Sequence, residues 1–447
     1  MSSTSRNVKK FDSVIMLFHI VIAFVFGGAL AELGSVLKFA FLPYLIYLVY
    51  NRKAEHIPAI ILIMCFGTVL TLFMSVLLIP YCYIYRVKLR GQNWFRLYKI
   101  LLVMFPFYLA VTIVRMGAGT TFVDALIMND YYVAFWFLLF GVINCEFFNT
   151  RFLSMLLASG MVLGIISLFL IDTGLIGALT RLSNYFDIIL IVLTLSHLFY
   201  SRVKINLWLL LFLFFSRAVI FGTTYKFTFL FGLILAFLTF VSERPRLKSS
   251  INRKSATKKF LPRLIILLPF LFLWTTIVLT PKYATNYASV EVDYDLGSNI
   301  VDQVLFKLFV DRGVIWLGTI QGIYENTGFL LPVKNWDITY TDVKNNFYQV
   351  DFESHNLILG LIRYNGYIFG SVLIAIYLIV MFQLYKVVHR FKGIHLIFAV
   401  SIFGLGIAVF ITGQYTLQLS TSFIFMSLVG VLISHGSIEP KSHNSNI

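Results

Sequence analysis

Charged side chains are scarce in this chain. Asp, Glu, Lys and Arg make up 13% of its 447 residues, whereas a soluble domain of ordinary composition has about 25%. Apolar runs of close to 20 residues recur from end to end, and each is long enough to cross a hydrocarbon core of about 30 Å. The composition therefore excludes a soluble globular protein and predicts an all-α polytopic integral membrane protein.

Cysteine is almost absent as well. The chain has three cysteines, Cys65, Cys82 and Cys145, and all of them lie within or at the edge of apolar runs. With none in a long polar segment, the sequence excludes a disulfide framework and a zinc site built from cysteines. The first apolar run follows a basic flank and lacks a small-x-small cleavage site, so we expect an uncleaved first span.

Acidic residues are fewer than basic ones, and the connections that lack acids predict how the chain is oriented in the membrane. The formal net charge is +16. Residues 242–260 contain seven Lys or Arg and one acid, and residues 86–99 contain five and none. Short basic connections of this kind stay on the cytoplasmic side of a membrane. We therefore interpret the charge as topological, which argues against a nucleic-acid partner.

The apolar runs predict thirteen spans, at roughly 13–31, 34–50, 57–80, 100–116, 131–148, 152–171, 184–200, 205–221, 226–241, 261–280, 357–386, 394–412 and 417–434. With the basic connection inside, residues 281–356 are extracytoplasmic and the C-terminus is cytoplasmic. Thirteen spans would then place the basic N-terminal flank outside, against the positive-inside rule. The run 57–85 therefore contains two short segments, or one early segment is re-entrant. We expect 12 or 14 transmembrane helices.

This organisation divides the chain into an N-terminal helix bundle (1–280), an extracytoplasmic segment (281–356), C-terminal transmembrane helices (357–434) and a cytoplasmic tail (435–447). The extracytoplasmic segment contains ten acids and five bases. A polar segment of this length is usually functional. Residues 300–324 within it have the spacing of an amphipathic helix, so we expect short helices there.

Two arginines are candidates for a functional site. Arg217 lies inside the apolar run 205–221, where an arginine costs about 2.5–3.5 kcal/mol on insertion scales and marks a functional site by default. The alternative is a side chain that extends to the lipid headgroups. Arg312 and Trp316 are four residues apart and share one helix face. The alternative for this pair is a surface ion pair, with Asp311 or another acid, above an interfacial tryptophan.

His355 and Asn356 end the polar segment, directly before an apolar helix. A histidine takes up a proton near neutral pH, which suits a general base, and an asparagine in this place suits a helix N-cap. Arg363 follows about two turns later and faces the same side as His355 if the helix begins that early. Asp293 and Asp295 form an acid-x-acid pair of the kind that holds a metal and a nucleotide-sugar, but such substrates are on the other side of the membrane.

Arg217, Arg312 and His355 are all assigned to the outer end of the membrane domain. Two guanidinium groups suit two-point recognition of a pyrophosphate, without a metal or another cofactor. An imidazole nearby would deprotonate an attacking hydroxyl while the arginines stabilise the departing diphosphate. This combination is the chemistry of glycosyl transfer from a polyprenyl-pyrophosphate donor.

The order of these residues resembles that of the bacterial O-antigen ligase and O-antigen polymerase superfamily. The residues that carry the resemblance are Ser216-Arg217-Ala218 in an apolar helix, Arg312-x-x-x-Trp316 after a long outer loop, His355-Asn356 with Leu359, and then Gly366 and Gly370. The resemblance covers about 207–380. The chain departs from the family in having only Gly328 where a Gly-x-Gly stretch usually follows the Arg-x-x-x-Trp helix.

The resemblance implies a GT-C-like, metal-independent glycosyltransferase of the bacterial inner membrane that acts on the periplasmic face. By this resemblance Arg217 and Arg312 bind the pyrophosphate of undecaprenyl-pyrophosphate-linked glycans and His355 is the base. Arg363 is a further candidate for pyrophosphate binding, and Trp316 and Asn356 are candidates for supporting residues.

Three functions agree with these features. We expect a polymerase that extends lipid-linked repeat units of O-antigen or a similar surface polysaccharide. The first alternative is a ligase that transfers the finished glycan to lipid A-core. The second is a transporter or flippase of the lipid-linked glycan, without chemistry. Membrane lipid surrounds the protein in each case, and a chain-length regulator or a flippase would be the protein partner of a polymerase.

Overall fold

The computed structural model describes residues 13–24, 42–51, 53, 56, 57, 60, 68–89, 93–117, 119, 125, 130–148, 312–326, 338–341, 347–350, 356–412 and 419–438. Arg217, Asp293, Asp295 and His355 lie outside the described residues, as do the predicted spans between 149 and 311. The chain divides into two compact units. The first contains residues 1–183, 376–391 and 415–447, and the second contains 184–375 and 392–414.

The described residues are helical apart from one short β-hairpin and the connections, which confirms the helical fold class. The helices are α1 (Ser13–Phe24), α2 (Leu42–Tyr50), α3 (Thr68–Ile84), α4 (Asn93–Gly117), α5 (Asp130–Ile143), α6 (Arg312–Asn326), α7 (Leu357–Asn365), α8 (Tyr367–Val388), α9 (Gly393–Thr412) and α10 (Leu419–Ile438). Single 3-10 turns follow α3 (Arg86–Leu89) and α5 (Cys145–Phe147).

Two of the described helices, α4 and α8, are long enough and apolar enough to cross a membrane. Their bounds differ from the predicted spans. α4 begins at Asn93, before the predicted start of its span, because Trp94, Leu97 and Tyr98 continue its buried face. The predicted span 357–386 is not one helix, since it is divided at Gly366 into α7 and α8.

Residues 281–356, which were predicted to be extracytoplasmic, include a β-hairpin that the all-α prediction missed. Strand β1 (Ile338–Thr341) pairs antiparallel with β2 (Phe347–Val350), so that Ile338 is opposite Val350 and Thr341 is opposite Phe347. Both strands are rich in aromatic and β-branched residues, and the intervening sequence, DVKNN, favours a turn. Two short runs of strand-forming residues separated by a turn sequence are the pattern in the sequence that indicates this hairpin. α6 packs against β1.

The first unit is built around α5. Every residue of this helix from Tyr131 to Ile143 is buried, as expected of a helix that is apolar all round. α3, α4 and α10 all pack against it. The Tyr132 hydroxyl donates a hydrogen bond to the Leu101 carbonyl of α4 (2.7 Å). α5 is therefore a core helix, covered by other helices.

The contact between α5 and α10 depends on two glycines. A Cβ atom on Gly141 would lie 2.0 Å from the Ser427 carbonyl oxygen, and one on Gly430 would lie 2.1 Å from the Leu138 carbonyl oxygen. Each glycine thus faces the backbone of the opposite helix. Small residues at such crossings let two helices approach closely and gain van der Waals contact along their length.

α3, α5, α8 and α10 end on the same side of the first unit. Lys88 forms an ion pair with Glu146 (2.9 Å), Ser434 Oγ donates to Cys145 Sγ (3.1 Å), and Arg390 donates to the carbonyl of Gly436 (3.0 Å). α4 begins at this end, directly after the 3-10 turn that follows α3. We call it the basic end, because it carries Arg86, Lys88, Arg96, Lys99, Lys386 and Arg390.

α2 also ends beside the C-terminal half of α3. The Tyr50 hydroxyl donates to the Leu77 carbonyl (3.3 Å), and the rings of Tyr50 and Tyr81 are 6.1 Å apart. α2 and α3 therefore end on the same side of the first unit.

We predict that Gly141→Leu destabilises the protein by about 1–3 kcal/mol or more, as is typical of overpacking, because the carbonyl that meets the new side chain is part of a helix backbone. Thermal unfolding of the purified protein in detergent measures the effect. Gly117→Leu is the matched control, since no atom lies within 4 Å of a Cβ at that position. Equal unfolding temperatures for the two variants would contradict the prediction.

Candidate functional site

Asn356 is the N-cap of α7. Its φ and ψ of −151° and 128° are extended, and its Oδ1 accepts hydrogen bonds from the backbone N–H groups of Ile358 (2.9 Å) and Leu359 (3.2 Å). These two bonds satisfy donors that have no partner within the helix. Asn356 is therefore a helix N-cap, which is the structural role expected from the sequence, and its side-chain oxygen makes the capping hydrogen bonds.

The prediction that His355 and Arg363 share a helix face depends on where α7 begins. α7 begins at Leu357, with Asn356 as its N-cap, and His355 precedes this cap in the sequence. The condition under which His355 and Arg363 would share a face, an earlier helix start, is not met. His355 itself lies outside the described residues.

Arg363 is buried within α7. Its side chain is only 5% exposed, and its Cζ lies 5.2 Å from the ring centroid of Tyr364, within the range of a cation–π contact. A charged side chain this deeply buried is rare and needs polar or aromatic partners. Arg363 is thus a buried guanidinium group beside an aromatic ring.

Arg312 and Trp316 lie on α6, where Arg312 is the first residue. Thr319 and Ile323 are buried on the same helix, Trp316 is half-buried, and Tyr324 is exposed. Positions 312, 316, 319 and 323 follow the helical repeat and therefore lie along one face of α6. α6 packs against α7, and the structure thereby brings together the helices of Trp316 and Arg363.

α7 and α8 are separated by a sharp bend at Gly366. This residue has φ 79° and ψ 171°, a conformation that is open to glycine and strained for other residues. Gly370 lies in the first turn of α8, and a Cβ there would be 2.7 Å from the Leu361 carbonyl oxygen. Gly370 is therefore a packing contact, whereas Gly366 forms the bend.

Asn365 is a buried polar residue that the sequence pattern did not single out. It is 1% exposed, and its Nδ2 donates to the Leu361 carbonyl one turn earlier (3.0 Å). Its Oδ1 is buried and accepts no hydrogen bond from the described part of the chain. The sequence offered one indication of Asn365, its position directly before a glycine in an apolar run. An asparagine at the end of a helix is too common, however, to identify a functional site.

Arg115 is a second buried residue of this kind. It lies in the last turn of α4 and is 3% exposed. α4 begins at the basic end of the first unit, so Arg115 lies near the opposite end of that helix. The same reasoning that identified Arg217, a cation inside an apolar run, applies to Arg115. Arg115 is therefore a candidate for a functional site that the sequence reasoning missed.

Two histidines of the N-terminal region are also buried. His19 Nδ1 is in hydrogen-bond contact with the Tyr44 hydroxyl. The ring centroids of His19 and His56 are 4.8 Å apart, and those of His56 and Tyr47 are 5.3 Å apart. Edge-to-face contacts of this kind stabilise aromatic clusters. These histidines take part in the packing of α1 and α2.

Metal ligands do not cluster in the part of the chain that the structure describes. No group of three or more His, Cys, Asp or Glu side chains there has the arrangement of a metal site. The buried polar groups around α7 are donors and an amide oxygen. Such a set suits an anionic or hydroxyl-bearing organic ligand better than a cation.

Comparisons of the chain with protein-family models, with curated proteins and with solved structures gave no match.

We predict that Asn356→Ala destabilises α7 by about 1 kcal/mol, because two backbone N–H groups lose their acceptor. Hydrogen exchange of the Ile358 and Leu359 amides in the purified protein measures this directly. Asn356→Asp keeps the acceptor and is the control, with exchange close to that of the wild type. Unchanged exchange in Asn356→Ala would show that the cap does not hold the start of the helix.

Proposed function

We propose that the protein is a membrane glycosyltransferase that polymerises undecaprenyl-pyrophosphate-linked oligosaccharide repeat units on the periplasmic face of the bacterial inner membrane. The observation that carries the proposal is the packing of α6 against α7, which places a half-buried Trp316 and a buried Arg363 on neighbouring helices. Arg312 is the first residue of α6. Guanidinium groups on adjoining helices suit a pyrophosphate.

The charge distribution supports an extracytoplasmic location for this arrangement. α8 has 22 residues, about 33 Å of helix, which is enough to cross the hydrocarbon of a membrane. Lys386 in its last turn and Arg390, which follows the helix, lie at the basic end, which the positive-inside rule assigns to the cytoplasm. Tyr367, at the other end of the helix, then lies on the periplasmic side, and α7 directly precedes it.

The proposed reaction is a displacement at the anomeric carbon of the donor glycan. A hydroxyl of the acceptor repeat unit attacks this carbon, and the bond between the carbon and the pyrophosphate oxygen breaks. His355 takes the proton of the attacking hydroxyl. Arg217, Arg312 and Arg363 stabilise the charge on the departing undecaprenyl pyrophosphate. The products are an extended glycan on the acceptor lipid and free undecaprenyl pyrophosphate.

The ligase and the flippase differ from the polymerase in testable ways. A ligase uses the same donor chemistry with lipid A-core as the acceptor. Loss of a polymerase leaves a single repeat unit on the lipopolysaccharide, whereas loss of a ligase leaves none. A flippase would move the lipid-linked glycan without forming a glycosidic bond. Analysis of the glycan in a deletion strain distinguishes a polymerase from a ligase. An assay of glycosidic-bond formation by the purified protein distinguishes both enzymes from a flippase.

The proposed orientation predicts opposite labelling of two exposed positions. In a background without native cysteines, Tyr324→Cys on α6 should react with a membrane-impermeant maleimide added to cells with a permeabilised outer membrane. Lys88→Cys, at the basic end, should react only after the inner membrane is also opened. Tyr324 is 86% exposed, so its thiol would be accessible. Labelling of Lys88→Cys in cells with an intact inner membrane would reverse the orientation.

We predict that His355→Ala abolishes chain extension by the purified protein, because the attacking hydroxyl loses its base, while lipid-substrate binding remains close to that of the wild type. Arg217→Lys should fail too, since an ammonium group cannot make the two-point contact of a guanidinium. Separation of lipid-linked products by length measures both effects. His389→Ala and Arg96→Lys, at exposed positions, are the matched controls.

Near-normal turnover of His355→Ala would remove this residue from the mechanism. Full activity of Arg217→Lys would indicate an arginine that merely extends to the headgroups. Activity that disappears with a chelator would instead favour a metal held by Asp293 and Asp295.

A further inference from the structure

The junction of α7 and α8 forms a rigid elbow, which we define as residues 361–370. Gly366 turns the chain with φ 79°. Gly370 then packs directly on the backbone of α7, with no room for a side chain between them. The turn and the close contact together hold the last turn of α7 against the first turn of α8.

The length of α8 places this elbow at the membrane surface. Its 22 residues span about 33 Å, slightly more than a hydrocarbon core of about 30 Å. Because α8 alone fills this thickness, its first residue, Tyr367, and the elbow beside it are at the level of the headgroups in the proposed orientation. The pyrophosphate of a lipid-linked glycan and its first sugar would lie at the same level.

The elbow holds one acceptor of known orientation. The Asn365 amide is oriented by its Nδ2, which donates to the Leu361 carbonyl over 3.0 Å. Its Oδ1 is consequently directed away from that carbonyl, and the described residues supply no donor to it. A buried acceptor without a donor is unfavourable, and each such group needs a specific explanation, such as a water molecule or a ligand.

We propose that Asn365 Oδ1 accepts a hydrogen bond from the sugar of the lipid-linked substrate. This inference rests on the proposed function and names a specificity-determining residue for it. A diphosphate offers only acceptors at neutral pH and cannot satisfy an amide oxygen, whereas sugar hydroxyls and the N–H of an N-acetyl group can. Asn365 therefore distinguishes the glycan from the lipid pyrophosphate that carries it.

Burial makes this single contact selective. A site built to bind a substrate hydroxyl rejects a ligand that lacks it, because the buried polar group is then left unpaired. Asn365 is almost completely buried, so a ligand without the donor gains no compensation from water. The amide is also positioned by the helix to which it belongs, which reduces the entropy lost on binding.

The test compares two lipids and three variants. Purified full-length protein in lipid nanodiscs is titrated with lipid-linked repeat units extracted from the native host, and separately with undecaprenyl pyrophosphate without sugar. Asn365→Leu, of similar volume, should weaken binding of the repeat unit by about tenfold or more and leave binding of the bare pyrophosphate unchanged. Asn365→Asp keeps an acceptor oxygen and should bind the repeat unit more tightly than the leucine variant.

Ser401→Ala is the control for removal of a buried polar group in the same unit, since the Ser401 hydroxyl already donates to the Ile397 carbonyl (2.8 Å). It should change binding of neither lipid. The unfolding temperature of Asn365→Leu without ligand should be equal to or above that of the wild type, because the variant removes an unsatisfied acceptor.

Three results would overturn the inference. Wild-type affinity of Asn365→Leu for both lipids would mean that a water molecule satisfies the oxygen. Weaker binding of both lipids, with a lower unfolding temperature, would mean that Asn365 is structural. Wild-type protein that binds neither lipid would reject the proposed function itself, and this inference with it. The first two outcomes leave the proposed function standing.

Discussion

The reciprocal contact of Gly141 and Gly430 is the constraint on which the packing of the first unit depends. Apolar surface gives no preference for another helix over lipid tails in a bilayer, so helices associate through close contact and hydrogen bonds. Two missing side chains let the backbones of α5 and α10 meet at van der Waals distance. α3 and α4 then complete the cover of α5. The alignment of the basic end follows from this arrangement.

The second unit uses glycine for a different purpose. Gly366 breaks what would otherwise be one long apolar helix, and Gly370 lets the backbone of α8 contact that of α7 beside the break. Irregular backbone in a membrane protein is tolerated where it is buried in protein or lines a cavity. The polar groups beside the break, in Arg363 and Asn365, make the elbow a place where a polar ligand is better accommodated than lipid. The proposed substrate contains two groups that suit these side chains, an anionic diphosphate and a hydroxyl-rich glycan.

The sequence predicted some features of the site and missed others for identifiable reasons. The cap at Asn356 was predictable, because it depends on a local hydrogen bond to residues two and three positions later. The relation of His355 to Arg363 was not, since it depended on where the helix begins. Asn365 and Arg115 were missed because their burial depends on neighbours that are distant in the chain. The β-hairpin was missed although its signal, the strand-forming residues on both sides of DVKNN, is local.

Composition and charge by themselves determined the helical class, the apolar runs and the basic connections, because these depend on the free energy of transfer of each segment into lipid. They also identified the residue types that suit a pyrophosphate and its displacement. Only the tertiary structure decided which glycine bends the chain and which one packs, that α6 meets α7, and that the Asn365 oxygen is buried without a described donor. Those properties belong to pairs of segments far apart in sequence, and the residues of one segment do not specify which other segment will cover them.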